Sequence, residues 1–318
     1  MGLKAIILAA GKGTRMKSEI LKVLHHVAGK PILNHVLDTV LSLNVEEVYM
    51  VVGHQAEQVR SQITHPKVKF VSQEEQLGTG HAVLQVAPFF IESRDQVIVL
   101  AGDCPLIEEQ TLVDLLAIHN ESNAAATILT ANMVEPGSYG RIIRGQMGTV
   151  MGIKEAKDCT VQELSISEIN TGVYAFDTVA LFEGIKKIDT QNAQKEYYLT
   201  DVIKVLKKSK KVVEAFCTED ADQVVGINTR MDLAKINKII RDKTNWHWMQ
   251  EGVTIVDPDM TFIDTTVKIG ADTIIEPFTV IQGSTTIGSH CRIGAHTTLV
   301  NTVVPESTVI APFTYLSA

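Results

Sequence analysis

Cysteine is scarce in this 318-residue chain, and the few that occur form no pattern. Cys104, Cys159, Cys217 and Cys291 stand far apart with no C-x-x-C pair. That spacing argues against structural zinc and against a disulfide framework, and it fits a reducing cytoplasm. Long apolar runs are missing too. No stretch approaches the roughly 20 residues that span a bilayer, so no membrane partner is expected. The run Ala5 to Ala10 is too short for an export signal, and a Gly/Lys/Arg loop follows it directly. Gly2 is no myristoylation site, because Ile6 stands where Ser or Thr is wanted. Positive charge is also short. Lys and Arg number 29 against 37 Asp and Glu, a formal net charge of −8. A polyanion binder needs a broad basic surface, so nucleic acid is not an expected partner. The one basic cluster, Lys207–Lys211, is short and reads as a solvated helix end. What remains, 45% hydrophobic and 21% charged residues with only 5% aromatics, is the composition of a soluble globular chain long enough for two domains.

Two periodicities divide it. Through about residue 229, short apolar runs alternate with helical patterns, the sign of an α/β domain with a mainly parallel mixed sheet. Strands are predicted at Ala5–Ala9, Glu47–Val52, Lys69–Val71, Gln96–Leu100, Ala125–Ala131, Thr149–Lys154, Thr171–Phe176 and Val212–Phe216. Helices are predicted at Pro31–Leu43, Gln55–Ile63 and Thr79–Ala87. Ligands of such sheets bind beyond the carboxyl ends of the strands, which directs attention to the loops after Ala9 and Leu100. A connecting helix is expected over 230–252, ending at Gly252. Trp246 and Trp248 near its end read as packing anchors or as a base-stacking site, and the buried area that aromatics supply favours the first.

Over 253–318 the pattern changes. Ile263, Ile269, Ile275, Ile281, Ile287, Ile293 and Leu299 recur every six positions, and Val304 and Ile310 continue the series after one five-residue step. Gly270, Gly288 and Gly294 each follow one of them. A strict period of six predicts a left-handed hexapeptide β-helix, with aliphatics stacked inside and small residues at tight corners. About three coils are few for independent stability, so oligomerisation through this prism is expected.

The strongest chemical motif is Leu8-Ala9-Ala10-Gly11-Lys12-Gly13-Thr14-Arg15-Met16, directly after the first strand. A glycine-rich strand-to-loop turn offers backbone N–H groups to phosphate. It matches neither the Walker A pattern nor the dinucleotide fingerprint, since Met16 stands where a third glycine would be. Lys12, Arg15 and Lys22 supply cations around it. Asp103 closes the run after Leu100, where a carboxylate can ligate Mg²⁺ or cap a helix. The histidines show no H-E-x-x-H spacing and most read as structural or solvent-facing; His25 and His26 follow Lys22, and His81 sits in the Gln/Gly stretch.

Leu8–Met16 with Leu21-Lys22-Val23-Leu24 resembles the signature of sugar-nucleotide pyrophosphorylases. The nearest family is the bacterial bifunctional N-acetylglucosamine-1-phosphate uridylyltransferase/glucosamine-1-phosphate acetyltransferase. The likeness runs on through Gln73–Ala82, Gly102–Leu106, Tyr139–Ile142, Glu168–Gly172, Glu196–Asp201 and Gly226–Arg230, in order, into the hexapeptide tail. It implies a Rossmann-like nucleotidyltransferase domain that joins UTP and N-acetylglucosamine 1-phosphate with Mg²⁺, releasing pyrophosphate. It implies that Leu8, Ala9, Ala10, Gly11, Lys12, Gly13 and Thr14 cradle the nucleotide, with Arg15 and Lys22 as the catalytic cations. Gln73 and Gly78 would meet uracil, with Gln76 and Thr79 nearby. Gly140, Glu155, Asn170 and Thr200 would meet the sugar, with Glu196 and Tyr198 close to them. Asp103 and Asn228 would hold the metal, a role that Asn228 owes to the resemblance alone. A homo-trimer through the β-helix is expected on the same ground.

The chain departs from the family at Leu21, where Pro usually precedes the lysine, and at Lys195, where Gly often precedes Glu196. The family's acetyltransferase residues lie in later coils than the three here, so uridylyl transfer without acetyl transfer is expected of these residues. Two other readings stay open: a pyrophosphorylase for another sugar or base, and a non-catalytic sugar-nucleotide-binding subunit.

Overall fold

The computed structural model describes residues 2–53, 55–91 and 95–318. The myristoylation reading also involves Met1, which lies outside them. The chain divides into two compact units, Met1–Leu24 with Leu33–Gly226, and His25–Ile32 with Ile227–Ala318. The strands run β1 (Leu3–Ala9), β2 (His26–Val27), β3 (Lys30–Pro31), β4 (Glu47–Val52), β5 (Val68–Ser72), β6 (Gln96–Ala101), β7 (Ala126–Asn132), β8 (Arg141–Arg144), β9 (Val150–Lys154), β10 (Glu168–Asp177) and β11 (Val213–Thr218). The helices are α1 (Ile32–Ser42), α2 (Ala56–Gln62), α3 (Thr79–Leu84), α4 (Glu109–Glu121), α5 (Val161–Leu164), α6 (Thr178–Ile185), α7 (Asp201–Lys208) and α8 (Arg230–Gln250).

In the first unit a nine-stranded sheet has the order β11-β7-β10-β6-β1-β4-β5, with β8 and β9 paired off β10. β1, β4, β5 and β6 are parallel, as are β7 and β11, whereas β10 runs antiparallel to both β6 and β7. The sheet is therefore mixed, and the expected parallel majority holds only for its β6-β1-β4-β5 half, because β10 and the β8–β9 pair add antiparallel pairings. Its central strands carry near-continuous apolar sequence, LKAIILA in β1 and QVIVLA in β6, because helices cover both faces. Ala5, Ile7, Ile98 and Leu100 enter one core layer with α1 and α4, while Ile6, Val97 and Val99 enter the other. Parallel pairing aligns Leu8 with Ala101, so the loops after β1 and β6 leave the same edge side by side.

The second unit contains α8, the β2–β3 hairpin and the hexapeptide coils. Thr229 caps α8, its side chain accepting from the Asp232 N–H while Asp232 reaches back, a capping box. The coils form three parallel stacks of two- and three-residue strands. Ile263 pairs with Ile281, which pairs with Leu299, one 18-residue coil apart. Ile275, Ile281, Ile293 and Leu299 are fully buried in one aliphatic column system. A second ladder shares the six-residue period two positions earlier. Thr273, Thr279, Thr285 and Thr297 are buried, and Thr279 and Thr285 each donate to a carbonyl three residues back, at 2.6 and 2.7 Å. Those bonds tie each buried hydroxyl to a corner carbonyl, and Gln282 O also accepts from the Asn301 N–H at 3.2 Å. Corner glycines are dictated by the next coil: a Cβ on Gly288 would lie 2.6 Å from the Glu306 nitrogen. No helix of the described residues is long and apolar enough to cross a membrane. All four cysteines are free thiols.

Ile281 sits in the middle of this column with no exposed surface. Ile281→Ala should cost about 2–5 kcal/mol, the range for emptying a buried branched side chain. Denaturant unfolding followed by circular dichroism measures it.

Candidate active site

The site starts where β1 runs out. After Ala9 the chain turns through Gly11 and Gly13 into a short 3-10 turn, Thr14–Met16, that buries Met16 and leaves Lys12, Thr14 and Arg15 at least partly exposed. Gly13 is left-handed at φ 59°, and a Cβ there would lie 2.5 Å from the Cβ of Lys22, so the stem of Lys22 lies against the bare glycine backbone. Around Gly11, by contrast, nothing lies within 4 Å of the place where a Cβ would sit. Open space beside a glycine at a strand end is where an oxygen-rich ligand can approach the backbone.

A cavity of about 360 Å³ opens beside this turn. Its walls include Leu8, Ala9, Ala10, Gly11, Lys22, Gln73, Gln76, Gly78, Thr79, Asp103 and Glu196, eleven of the residues expected from the sequence, together with Val23, Ala82 and Ala101. The three extra residues are apolar and carry no chemical signal in the sequence. Lys22 Nζ donates to an Asp103 carboxylate oxygen, and both side chains are mostly covered. Each charge offsets the cost of desolvating the other. The buried Cys104 thiol donates to the other Asp103 oxygen at 3.6 Å. Burial, and then the neighbouring Asp103 charge, push that thiol well above the usual range, so it stays protonated. Gly226 passes close by, the Cβ position on its backbone lying 3.4 Å from Asp103.

The cavity wall also carries an amide cluster. Gln76 donates to the Ala10 carbonyl at 2.6 Å and so ties the Gln-rich loop to the glycine turn. Gln73 is buried, and its Nε2 donates to the Gly78 carbonyl at 3.1 Å. Gly78 has φ 110°, and any side chain there would strike Tyr197 O at 2.6 Å. That contact holds the 77–80 turn against the 196–199 segment, supported by Gly80 N–H to Tyr197 O at 2.8 Å and Leu199 N–H to Thr79 Oγ1 at 3.1 Å.

The sugar-side residues fall elsewhere in the same unit. Glu155, Tyr198 and Thr200 line a second cavity of about 490 Å³ with Lys154, Asp158 and Asp201. Thr200 Oγ1 donates to Glu155 at 3.1 Å. Gly140 and Asn170 line neither cavity but adjoin each other, Asn170 N–H donating to Gly140 O at 2.8 Å. The Asn170 amide is taken by Tyr174 Oη at 2.8 Å. Burial pushes the Tyr198 phenol up to about 12, so it remains a neutral hydroxyl. Lys12, Gly13, Thr14 and Arg15 belong to the turn but not to the cavity wall. Asn228 lies in the second unit, where its N–H donates to Asp232 at 3.0 Å. The two departures take concrete form. Lys195 has φ 55°, a left-handed backbone that suits the glycine often found there. Leu21 is buried and packs in the core beside Val23 and Leu24.

Residues 5–164 match the MobA-like NTP transferase domain, and residues 266–301 match six bacterial transferase hexapeptide repeats. The bifunctional protein GlmU of Limosilactobacillus reuteri is 46% identical over 314 residues, covering 99% of this chain and 69% of that protein. The chain belongs to the GlmU family. The GlmU proteins of Listeria monocytogenes and Enterococcus faecalis are 48% and 47% identical, and the match covers 66% and 67% of their lengths. The chain thus spans about two thirds of the length of these GlmU relatives. A crystal structure of UDP-glucose pyrophosphorylase complexed with UDP-glucose superposes with a TM-score of 0.62 at 15% identity, over 76% of this chain and 100% of that one. That likeness bears on the fold: an α/β nucleotidyltransferase domain. The chain is a nucleotidyltransferase carrying a GlmU-type hexapeptide region.

Glu155 generates a pH prediction. Burial first, then the nearby Asp158, Asp201 and Glu196 charges, raise its pKa, and the Thr200 hydrogen bond opposes them. An acid raised in the folded state lends its full stability below its unfolded value and loses it as pH rises through the folded one. Glu155→Gln, which never ionises, should therefore unfold at a higher temperature than the parent at pH 7. The gain should vanish near pH 4, and thermal unfolding at the two pH values checks it.

Proposed function

We propose that this nucleotidyltransferase is an N-acetylglucosamine-1-phosphate uridylyltransferase, joining UTP and N-acetylglucosamine 1-phosphate into UDP-N-acetylglucosamine and pyrophosphate. The observation that carries the reading is one cavity holding a glycine turn open at Gly11, the Lys22–Asp103 pair, and a buried amide at Gln73. These are a phosphate cradle, a cation with a metal-binding carboxylate, and a group able to read a base edge.

UTP would lie with its triphosphate along the Gly11–Thr14 backbone N–H groups and its uracil at Gln73 and Gly78. A phosphate oxygen of the sugar phosphate attacks the α-phosphorus in line. The new P–O bond forms as the α–β bridging bond breaks, and pyrophosphate leaves with that electron pair. The nucleophile is already an anion, so no general base is required. Lys22, with its stem set by Gly13, neutralises charge growing on the phosphates, and Arg15 at the loop rim offers its planar fork to the departing pyrophosphate. Glu155, Thr200, Tyr198, Gly140 and Asn170 serve the sugar side, with Glu196 between the two cavities' segments.

Among the described residues no cluster of three or more His, Cys, Asp or Glu could hold a metal by protein ligands alone. Asp103, a cavity-facing carboxylate beside the glycine turn, suits Mg²⁺, which keeps water and takes phosphate oxygens for the rest. Asp103 would hold it. When bound, Mg²⁺ shields the triphosphate charge and lowers the cost of the anionic attack. Asp103 would then be released from Lys22, and Lys22 would be available to phosphate. Acetyl transfer is not proposed for residues 1–318.

Pyrophosphate release should be fast with UTP, Mg²⁺ and N-acetylglucosamine 1-phosphate, and slower with glucosamine 1-phosphate or glucose 1-phosphate. Asp103→Ala should lower kcat/KM by about 10²–10³, the loss seen when one charge-stabilising group is removed. Preference for another sugar phosphate would move the sugar assignment. No release with any of them would favour a non-catalytic binding role.

We also propose a homo-trimer through the β-helix. Phe278, Phe313, Tyr315, Val303 and Val309 are exposed on its outside, and Phe278, His296 and Phe313 stack into one ladder with centroids 4.7 and 4.8 Å apart. Apolar surface of that kind marks protein contacts. Sedimentation equilibrium should give three times the 34.8 kDa chain mass, and a monomer at micromolar concentration would refute it.

A further inference from the structure

Gln73 has one amide and two possible faces, and which face meets the ligand decides what base it can read. Its Nε2 lies 3.1 Å from the Gly78 carbonyl oxygen. A carbonyl oxygen only accepts, so the atom there must be the NH₂ group. The same nitrogen lies 3.1 Å from His81 Nδ1. Both Gln73 N–H bonds are then used, provided that His81 Nδ1 accepts. Gln73 Oε1 takes no hydrogen bond among the described residues, and Gln73 lines the cavity. The free end of the amide is therefore an acceptor.

The tautomer of His81 decides whether its Nδ1 accepts. A neutral imidazole has one N–H and one acceptor nitrogen. On its other side, the amide group of Gln85 lies 3.0 Å from His81 Nε2. If Gln85 donated there, Nδ1 would have to carry the proton and would face the Gln73 NH₂ donor to donor. One of the two glutamines must present oxygen to the ring. Gln73 is buried and fixed by Gly78 O. Gln85 is half-exposed, and its only other side-chain contact among the described residues is a 3.2 Å bond to the His81 carbonyl, which already accepts the Gln85 backbone N–H. Turning Gln73 would set two carbonyls against each other in a buried place. Turning Gln85 costs one weak bond at the surface. The Gln85 amide therefore gives way, and its oxygen accepts from His81 Nε2–H.

We infer that His81 is a specificity-positioning residue: as the Nε2–H tautomer it locks the Gln73 amide with its carbonyl toward the cavity, so that the base site requires a ring N–H donor. Uracil carries such a donor at N3. Cytosine carries a lone pair at the same position and would meet the Gln73 oxygen acceptor to acceptor. Gly78, whose carbonyl fixes the other N–H, and His81 act on the same amide from two sides. This rests on the uridylyl-transfer reading and adds to it how uracil is chosen.

The test is steady-state pyrophosphate release by the full chain with UTP and with CTP, for the parent and for His81→Phe, His81→Ala and His81→Asn. Phe and Ala remove the acceptor. Asn keeps one, since its Oδ1 takes the place of Nδ1. For Phe and Ala, KM for UTP should rise about five- to tenfold, the worth of one hydrogen bond. Their kcat with UTP should stay within about twofold, and the UTP-over-CTP preference should fall by the same five- to tenfold factor. Asn should restore both KM and preference. Equal losses with UTP and CTP, an unchanged preference in Phe and Ala, or failure of Asn to rescue would overturn the inference while leaving uridylyl transfer intact. No release from UTP by the parent would instead overturn the reaction on which it rests. Thermal unfolding identifies a variant that does not fold, and the remaining acceptor-free variant then decides.

Discussion

The parallel pairing of β1 with β6 is the constraint on which the site depends. Leu8 lies opposite Ala101, and the Gly102 N–H continues the ladder to Leu8 O at 2.9 Å. Parallel strands end on the same side, so the glycine turn and Asp103 must emerge together. Lys22, Gly13 and Gly226 then have a carboxylate to gather around. A slip of one residue would turn every side chain of β1 to the opposite layer, and both layers are closed by fully buried aliphatics. The burial that stabilises the sheet therefore also fixes the position of the two charged groups.

Within that frame the site is held by polar contacts that each leave something unused. Lys22 and Asp103 satisfy one another while presenting both heads to the cavity. Gln76 commits its amide to Ala10. Gln73 gives both N–H groups to the protein and keeps its carbonyl. Such pre-arranged groups need little reorganisation when a charged ligand enters, which is where electrostatic catalysis gains most.

Much of this could be read in the residues alone, where local sequence dictates local structure. The apolar runs of β1, β4 and β6 were clear because a covered parallel strand has no polar alternation to confuse it. The glycine turn declared itself by composition, and the period of six by arithmetic. What was hidden depended on distant partners. β8, RIIR, is short and half charged, and it exists because it pairs with β9 and β10. The antiparallel sense of β10 has no mark in EINTGVYAFD. The threonine ladder shares the six-residue period but reads as polar until its hydroxyls are seen bonded to corner carbonyls. His81 looked like an ordinary histidine, since its role lies in which nitrogen accepts from Gln73.

The hairpin His25–Ile32 belongs to the second unit although residues on both sides of it belong to the first. Its bonds reach far along the chain: Ala28 N–H to Asn237 Oδ1 at 2.9 Å, and Thr265 N–H to Ala28 O at 3.1 Å, separated by 209 and 237 residues. During synthesis at about 5–20 residues per second, this hairpin must wait roughly ten seconds or more for its partners to be made. The first unit, complete in sequence by Gly226, can gain its sheet meanwhile with a loop set aside. The second unit by contrast assembles later than the first, although its hairpin is made long before its helix and coils.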